Sequence, residues 1–172
     1  MQINSSLTAI DLDPLGLEAL LPERNLSKLL RFSLTSQNTA LLPLEQVAEV
    51  IKVNSVDILP IPEMPNCILG ICNWRGEMLW LIDLNHLISY AAPRIATPMA
   101  IVVQVNQQAV GLVVERVNDV ESHDLEQLQK AVTGLFPRSF LPFVLGVLPS
   151  DNLVLDVTAI IQSHLWQIHR QV

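Results

Sequence analysis

Apolar runs recur along this chain, and every one of them is cut short. "CILGIC", "EMLWLIDL", "MAIVVQV", "AVGLVVERV", "FVLGVL" and "NLVLDV" are short and are cut repeatedly by proline, asparagine, aspartate or glutamate, with eleven prolines in 172 residues. Runs of this length, rich in β-branched residues, read as strands buried on both faces, and the punctuation between them reads as turns. No run approaches the roughly 20 apolar residues of a membrane-spanning helix, although half of the chain is hydrophobic and the mean hydropathy is +0.39. The apolar content therefore belongs to a core, in a mainly β fold of small barrels. The length suits one domain, or two small barrels sharing that core.

Residues 1–27 are polar and acidic at the start, and Pro14, Gly16 and Pro22 bracket "LEALL", too short a helix to stand alone. They read as a loosely held N-terminal arm, and 28–172 as the folded domain. Without a basic start or a long apolar stretch, "MQINSSLTAIDLD" does not resemble a secretory signal, so a cytoplasmic protein is expected. From Leu30 the chain alternates, with Leu30, Phe32 and Leu34 facing inward and Arg31, Ser33 and Thr35 outward. Val47 and Val50 are spaced for either a helical turn or a bulged strand. Pro60, Pro62 and Pro65 force an extended surface run. A hairpin centred on "NWRG" follows, then a pair joined across Asn106, Gln107 and Gln108 in which "AVGLVVERV" is one strand. A long loop runs from Ser122 to Ser139 with one helical turn near Leu125, and a last hairpin turns at "PSDN". A terminal helix capped by Asp156 or Thr158 carries Ile160, Ile161, His164, Leu165 and Ile168 on helical spacing.

Chemistry-bearing residue types are present, but the spacing does not assemble them. Ser122, His123 and Asp124 are consecutive and cannot converge as a hydrolytic triad. His164 and His169 lie five apart on a helix and point different ways, and His86 is isolated. Asp83, Glu115, Asp119 and Glu121 are scattered, with nothing in the spacing to pair two of them. Gly70 and Gly76 are followed by strand, so no phosphate-binding loop is available. Cys67 and Cys72 fall on opposite faces of a strand and read as buried thiols. Seventeen acidic against ten basic residues, a net charge of -7, argue against nucleic acid and against anionic membrane surfaces. What remains is a binding module. Its most unusual feature is Arg75, a guanidinium set between Trp74 and Trp80 in an apolar stretch. It must find a partner, reach a surface or mark a site.

"ILGICNWRGEMLWLIDL" resembles the hallmark of the CheW-like domain of bacterial chemotaxis: a strand, an N-[apolar]-R-G turn, and a strand ending in I-D-L. The order continues as in that family, with "FSL" and "LEQVAEVI" upstream, the lead-in "LPIPEMPNCILG", then "AIVVQVNQQAVGLVVERVNDV" and "FVLGVLPSDNLVLDVTAII", over about residues 29–165. The resemblance implies two SH3-like five-stranded β-barrels sharing a core, with a C-terminal helix. It implies a scaffold without catalysis, cofactor or metal, which couples the cytoplasmic tip of methyl-accepting chemoreceptors to the regulatory domain of a CheA-type histidine kinase in arrays at the membrane. The partner-binding positions carried over are Val47, Glu49, Gly70, the turn Asn73, Trp74, Arg75 and Gly76, and then Gly111, Val117 and Val120. Each valine can equally be plain core packing, and Arg75 can either splint its turn through backbone carbonyls or reach a partner's carboxylate. Trp74 stands where a smaller aliphatic is usual and Trp80 where proline is common, so partner choice is expected to differ here. The alternatives are a subunit that binds kinase alone and competes within or terminates an array, a small-molecule-binding β-barrel and, weakest, an enzyme.

Overall fold

A computed structural model describes residues 25–35, 37–87, 98–131, 134, 136–149 and 151–167. The arm up to Arg24, and Ile168 and His169, lie outside the described residues. Ten strands follow: β1 Ser27–Ser33, β2 Thr39–Pro43, β3 Val47–Lys52, β4 Ile68–Trp74, β5 Glu77–Asp83, β6 Met99–Val105, β7 Gln108–Val114, β8 Arg116–His123, β9 Val144–Leu148 and β10 Asn152–Leu155. Short helices α1 (Leu84–Leu87), α2 (Val157–Ile161) and α3 (His164–Gln167) follow β5 and β10.

The strands form two five-stranded sheets, ordered β8-β1-β2-β10-β9 and β3-β6-β7-β5-β4. Each closes into a barrel by the same device. After the edge strand β3, a 3-10 turn at Ser55–Asp57 leads Leu59 into a two-way backbone pairing with Ile71 of β4. After β8, a 3-10 turn at Leu125–Gln127 leads Gln129 into the same pairing with Val147 of β9. A glycine precedes each receiving residue because the closing backbone passes where a Cβ would sit. That atom would lie 2.2 Å from the Leu59 carbonyl oxygen at Gly70, and 2.6 Å from that of Gln129 at Gly146.

The two barrels are one plan used twice. Hairpin β1–β2 is followed by β3, β4 and β5, and hairpin β6–β7 by β8, β9 and β10. Each hairpin completes the barrel built from the other triplet, through the parallel pairs β10–β2 and β5–β7. Apolar residues on successive positions therefore go to different cores. Leu30, Phe32, Ala40, Leu42, Ile101, Val103, Leu112, Leu153 and Leu155 meet between the sheets, sealed by Trp166 and the helix residues Ile160 and Ile161. Leu29, Leu41, Leu148 and Val154 fill the first barrel. Cys72, Leu79, Leu81, Ala100, Val102 and Val113 fill the second. That division explains why the strands read as continuous apolar runs.

The expected fold class holds: mainly β, two barrels on a shared core, short helices at the end. Details differ. "AVGLVVERV" is two strands, broken at Glu115 as the chain leaves the second sheet for the first. The stretch from Ser122 is not simply a loop, since Ser122 and His123 end β8 and Gln129 closes the barrel. "LEQVAEVI" is a 3-10 turn at Leu44–Gln46 and then a bulged strand. The terminal helix is two, because the Ser163 hydroxyl accepts the Leu165 N–H and starts α3 anew. Asp156 caps α2 by accepting the Ala159 N–H at 3.0 Å. Cys67 and Cys72 are buried free thiols in two separate cores.

Candidate partner-binding site

The β4–β5 turn contains two residues, Arg75 at φ 53° and Gly76 at φ 83°, a left-handed pair of the kind tight hairpins use. Asn73 does the splinting, its Oδ1 accepting the Gly76 N–H at 3.1 Å. Arg75 is thus released from that role, and its side chain remains two-thirds exposed. It turns to Glu49 of β3, placing Nη2 3.0 Å from Oε2. Trp74 donates its indole N–H to the same Oε2 at 2.9 Å, and the guanidinium lies 5.0 Å from the centroid of the indole. Of the two roles expected for Arg75, splinting belongs to Asn73. The carboxylate that Arg75 meets is in its own chain. β3 and β4 are the two edges of one sheet, so the contact exists only because the barrel closes. The result is a plate of half-buried indole and exposed guanidinium tied down by one carboxylate.

The backbone of β3 decides what faces this plate. Its pairing with β6 slips between Val47 and Glu49, a bulge that sends Val47 to the shared core and Glu49 and Ile51 to the second barrel's side. β8 slips in the same way against β1, placing Val117 against the shared core opposite Phe32. Val47 and Val117 thus hold equivalent half-buried positions in the two barrels, both at the margin of the core between them. Val120 is half exposed on β8. Gly70 and Gly111 are interior. The first makes room for Leu59, and at the second an added Cβ would meet Leu81 at 2.6 Å. Asn73, Arg75 and Gly76 are exposed.

A second polar cluster escaped the sequence reading, which turned Arg31 outward. Arg31 instead donates Nε and Nη2 to the two oxygens of Glu121, Nη2 at 2.8 Å, and further to Asn152 Oδ1 and Thr39 Oγ1 at 2.9 Å each. His123 Nε2 lies 2.7 Å from Glu121 Oε2. The Arg31 guanidinium beside it, chiefly, and His123 hold the Glu121 carboxyl down at about 2. Ser33, also read as outward, is buried and hydrogen-bonded to Asn118. The cluster sits on the face of the first sheet that Leu29 and Leu41 share, so it fills one end of that barrel. Arg31 and Glu121 are 90 residues apart, and no local spacing signals the pair. Among the described residues no group of three or more histidine, cysteine or carboxylate side chains is placed to hold a metal ion. No helix among them is long and apolar enough to cross a membrane.

Known proteins resemble this chain in sequence and in fold. The chemotaxis protein CheW of Rhizobium meliloti (strain 1021) is 32% identical over 91 residues, 51% of this chain and 59% of that protein, so the match spans under two thirds of the relative's length. The crystal structure of the scaffolding protein TtCheW from Thermoanaerobacter tengcongensis superposes with a TM-score of 0.69 at 24% identity, over 81% of this chain and 94% of the other, a likeness of fold. The CheW-like domain family matches residues 28–165, from the first strand into the last described helix, and the chain belongs to that family.

Proposed function

We propose that this protein is a non-catalytic adaptor that couples the tips of methyl-accepting chemoreceptors to the regulatory domain of a CheA-type histidine kinase, in the cytoplasm and at membrane-associated receptor arrays. Family membership over residues 28–165 supports the reading. The observation that carries it is the pair of barrels on one core. Two outward surfaces in fixed relative orientation are what geometric coupling requires, because an adaptor holding two partners raises their effective concentration and passes movement of one to the other. In this reading the receptor meets Val47, Val117 and Val120 together with the Trp74–Arg75 plate. Glu49, Gly70, Asn73, Gly76 and Gly111 shape that surface.

Copurification with receptor tips and with the kinase regulatory domain tests it. Both are expected to bind, and Arg75→Ala is expected to keep the fold and the kinase while receptor binding weakens several-fold, the range of an exposed charged contact. Binding of kinase but not receptor by the unaltered protein would identify a subunit that terminates arrays. Binding of neither would overturn the proposal.

A further inference from the structure

At one end of the first sheet, a cleft of about 670 Å³ opens between the start of β1, the 3-10 turn after β2 and the passage from β10 into α2. Four leucines from four separate segments meet in it. Leu26 and Leu145 are 52% and 43% exposed, and Leu44 and Leu125 are half-buried. Leu125 also packs against the core of the first barrel. The other walls are chiefly polar, with Lys28, Glu45 and Asp156 the charged members.

Leucines left partly exposed forgo the stabilisation that burial would give, and several together around one cleft mark a docking place. A purely apolar ligand would leave the polar walls unmatched. A peptide matches both kinds of wall, because its apolar side chains meet the leucines while its backbone N–H and C=O groups need polar partners. The described chain starts at Asn25, and the next three residues line the cleft, so whatever precedes them is delivered to it. The nearest apolar stretch upstream is "LGLEALL", residues 15–21, with four leucines. Leu21 and Leu20 precede Leu26 by five and six positions, a length of chain that spans at most about 20 Å. Pro22, between them, suits the reversal of direction that such a contact requires. A tether so short gives the segment an effective concentration on the order of millimolar. A second copy or a separate partner lacks that advantage and must overcome the full entropy of association.

We propose that residues 15–21 of the same chain seat their leucines against Leu26, Leu44, Leu125 and Leu145 and cover this end of the first barrel. The family match starts at Lys28, so the segment lies outside what the family accounts for, and the contact does not rest on the proposed coupling role. A partner approaching that end of the barrel must displace the segment first, which makes residues 15–21 a built-in competitor for the surface they cover.

Photocrosslinking of the full chain tests this, with p-benzoylphenylalanine in place of the partly exposed Leu145 and peptide mass spectrometry to locate the product. The crosslink is expected within one chain, to residues 15–21, and the double variant Leu20→Ser, Leu21→Ser should reduce its yield about fivefold or more. Without the probe, the same double variant should speed amide hydrogen exchange several-fold in the 3-10 turns Leu44–Gln46 and Leu125–Gln127 while exchange in β6 and β7 stays as it was, the sign of an intact fold. A crosslink between two chains would make the occupant a second copy. A crosslink to another part of the same chain, or none, would leave residues 15–21 unseated. Exchange unaltered by the double variant would show that they do not protect the cleft, and each of these three results overturns the assignment.

Discussion

Arg75 occupies a left-handed backbone conformation that costs a side chain with a Cβ roughly 1–2 kcal/mol and that asparagine tolerates well. Its compensation is modest: an ion pair between side chains both more than a third exposed, worth at most about 1 kcal/mol, and a stacking contact of similar size on Trp74. An outlier whose contacts at best offset its strain is what a functional surface leaves behind. Arg75→Asn, which makes the turn Asn-Gly, should therefore leave thermal stability unchanged or raise it by up to about 1 kcal/mol, while receptor binding falls. Loss of stability with receptor binding intact would make the arginine structural. Glu121 presents the opposite case, a residue whose value is entirely internal. Its folded pKa of about 2 lies below its ordinary 4.5, so the stabilisation from its pairing with Arg31 is complete above pH 4.5 and disappears as pH falls toward 2. Melting temperatures between pH 5 and 2.5 should fall more steeply for the unaltered protein than for Glu121→Gln. Parallel curves would show that the pair contributes nothing.

At the scale of elements, barrel closure rests on two glycines that hold equivalent places. Gly70 combines φ 140° with a carbonyl oxygen 2.2 Å from the missing Cβ, whereas Gly146 has only the steric approach, at 2.6 Å. Gly70→Ala should cost more than Gly146→Ala, both within about 1–4 kcal/mol, as overpacking and backbone strain add at the first site. Chemical denaturation of the two variants measures the order, and a reversed order would mean that the closing segments yield unequally. Gly111→Ala should be milder than Gly70→Ala, since the atom it meets is the tip of the Leu81 side chain and not backbone. The strands themselves were legible because apolar positions and turn residues are local signals: "NWRG" and "PSDN" mark turns without reference to anything distant. Barrel closure, by contrast, is written nowhere in local pattern. Neither the Glu49–Arg75 pair nor the Arg31–Glu121 pair could be read from spacing, because each joins residues that meet only when a sheet curls or when a strand from the far end of the chain arrives. The break at Glu115 was hidden for the same reason. Both sheets want β-branched residues, and nothing in the run of valines says that the chain changes sheet there. The resemblance supplied Val47 and Val117 separately, and the matching bulges supplied their equivalence.

On the scale of the whole molecule, exchange of hairpins between the two triplets makes the barrels mutually dependent. Residues 27–83 hold β1–β2 and β3–β5, which belong to different barrels, so neither half of the chain contains a closed one. The segment from β3 to β7 does contain all strands of the second barrel, but it would leave Ile82, Ile101, Val103, Val110 and Leu112 bare on one face, an exposed apolar surface that a soluble domain does not sustain. One core thus serves two barrels, and damage on one side of it must be felt on the other. Phe32 is fully buried on β1 and belongs to that core, so Phe32→Ala should cost about 3–5 kcal/mol. If the barrels unfold as a unit, hydrogen exchange from β6 and β7, across the core in the second barrel, should accelerate by the same factor as exchange from β1 and β2, with a single thermal transition. Acceleration confined to the first barrel, or a second transition on heating, would show two units that merely touch. Rigid unity is also what coupling requires, because a core that let the barrels move independently would absorb a partner's displacement before the other surface could register it.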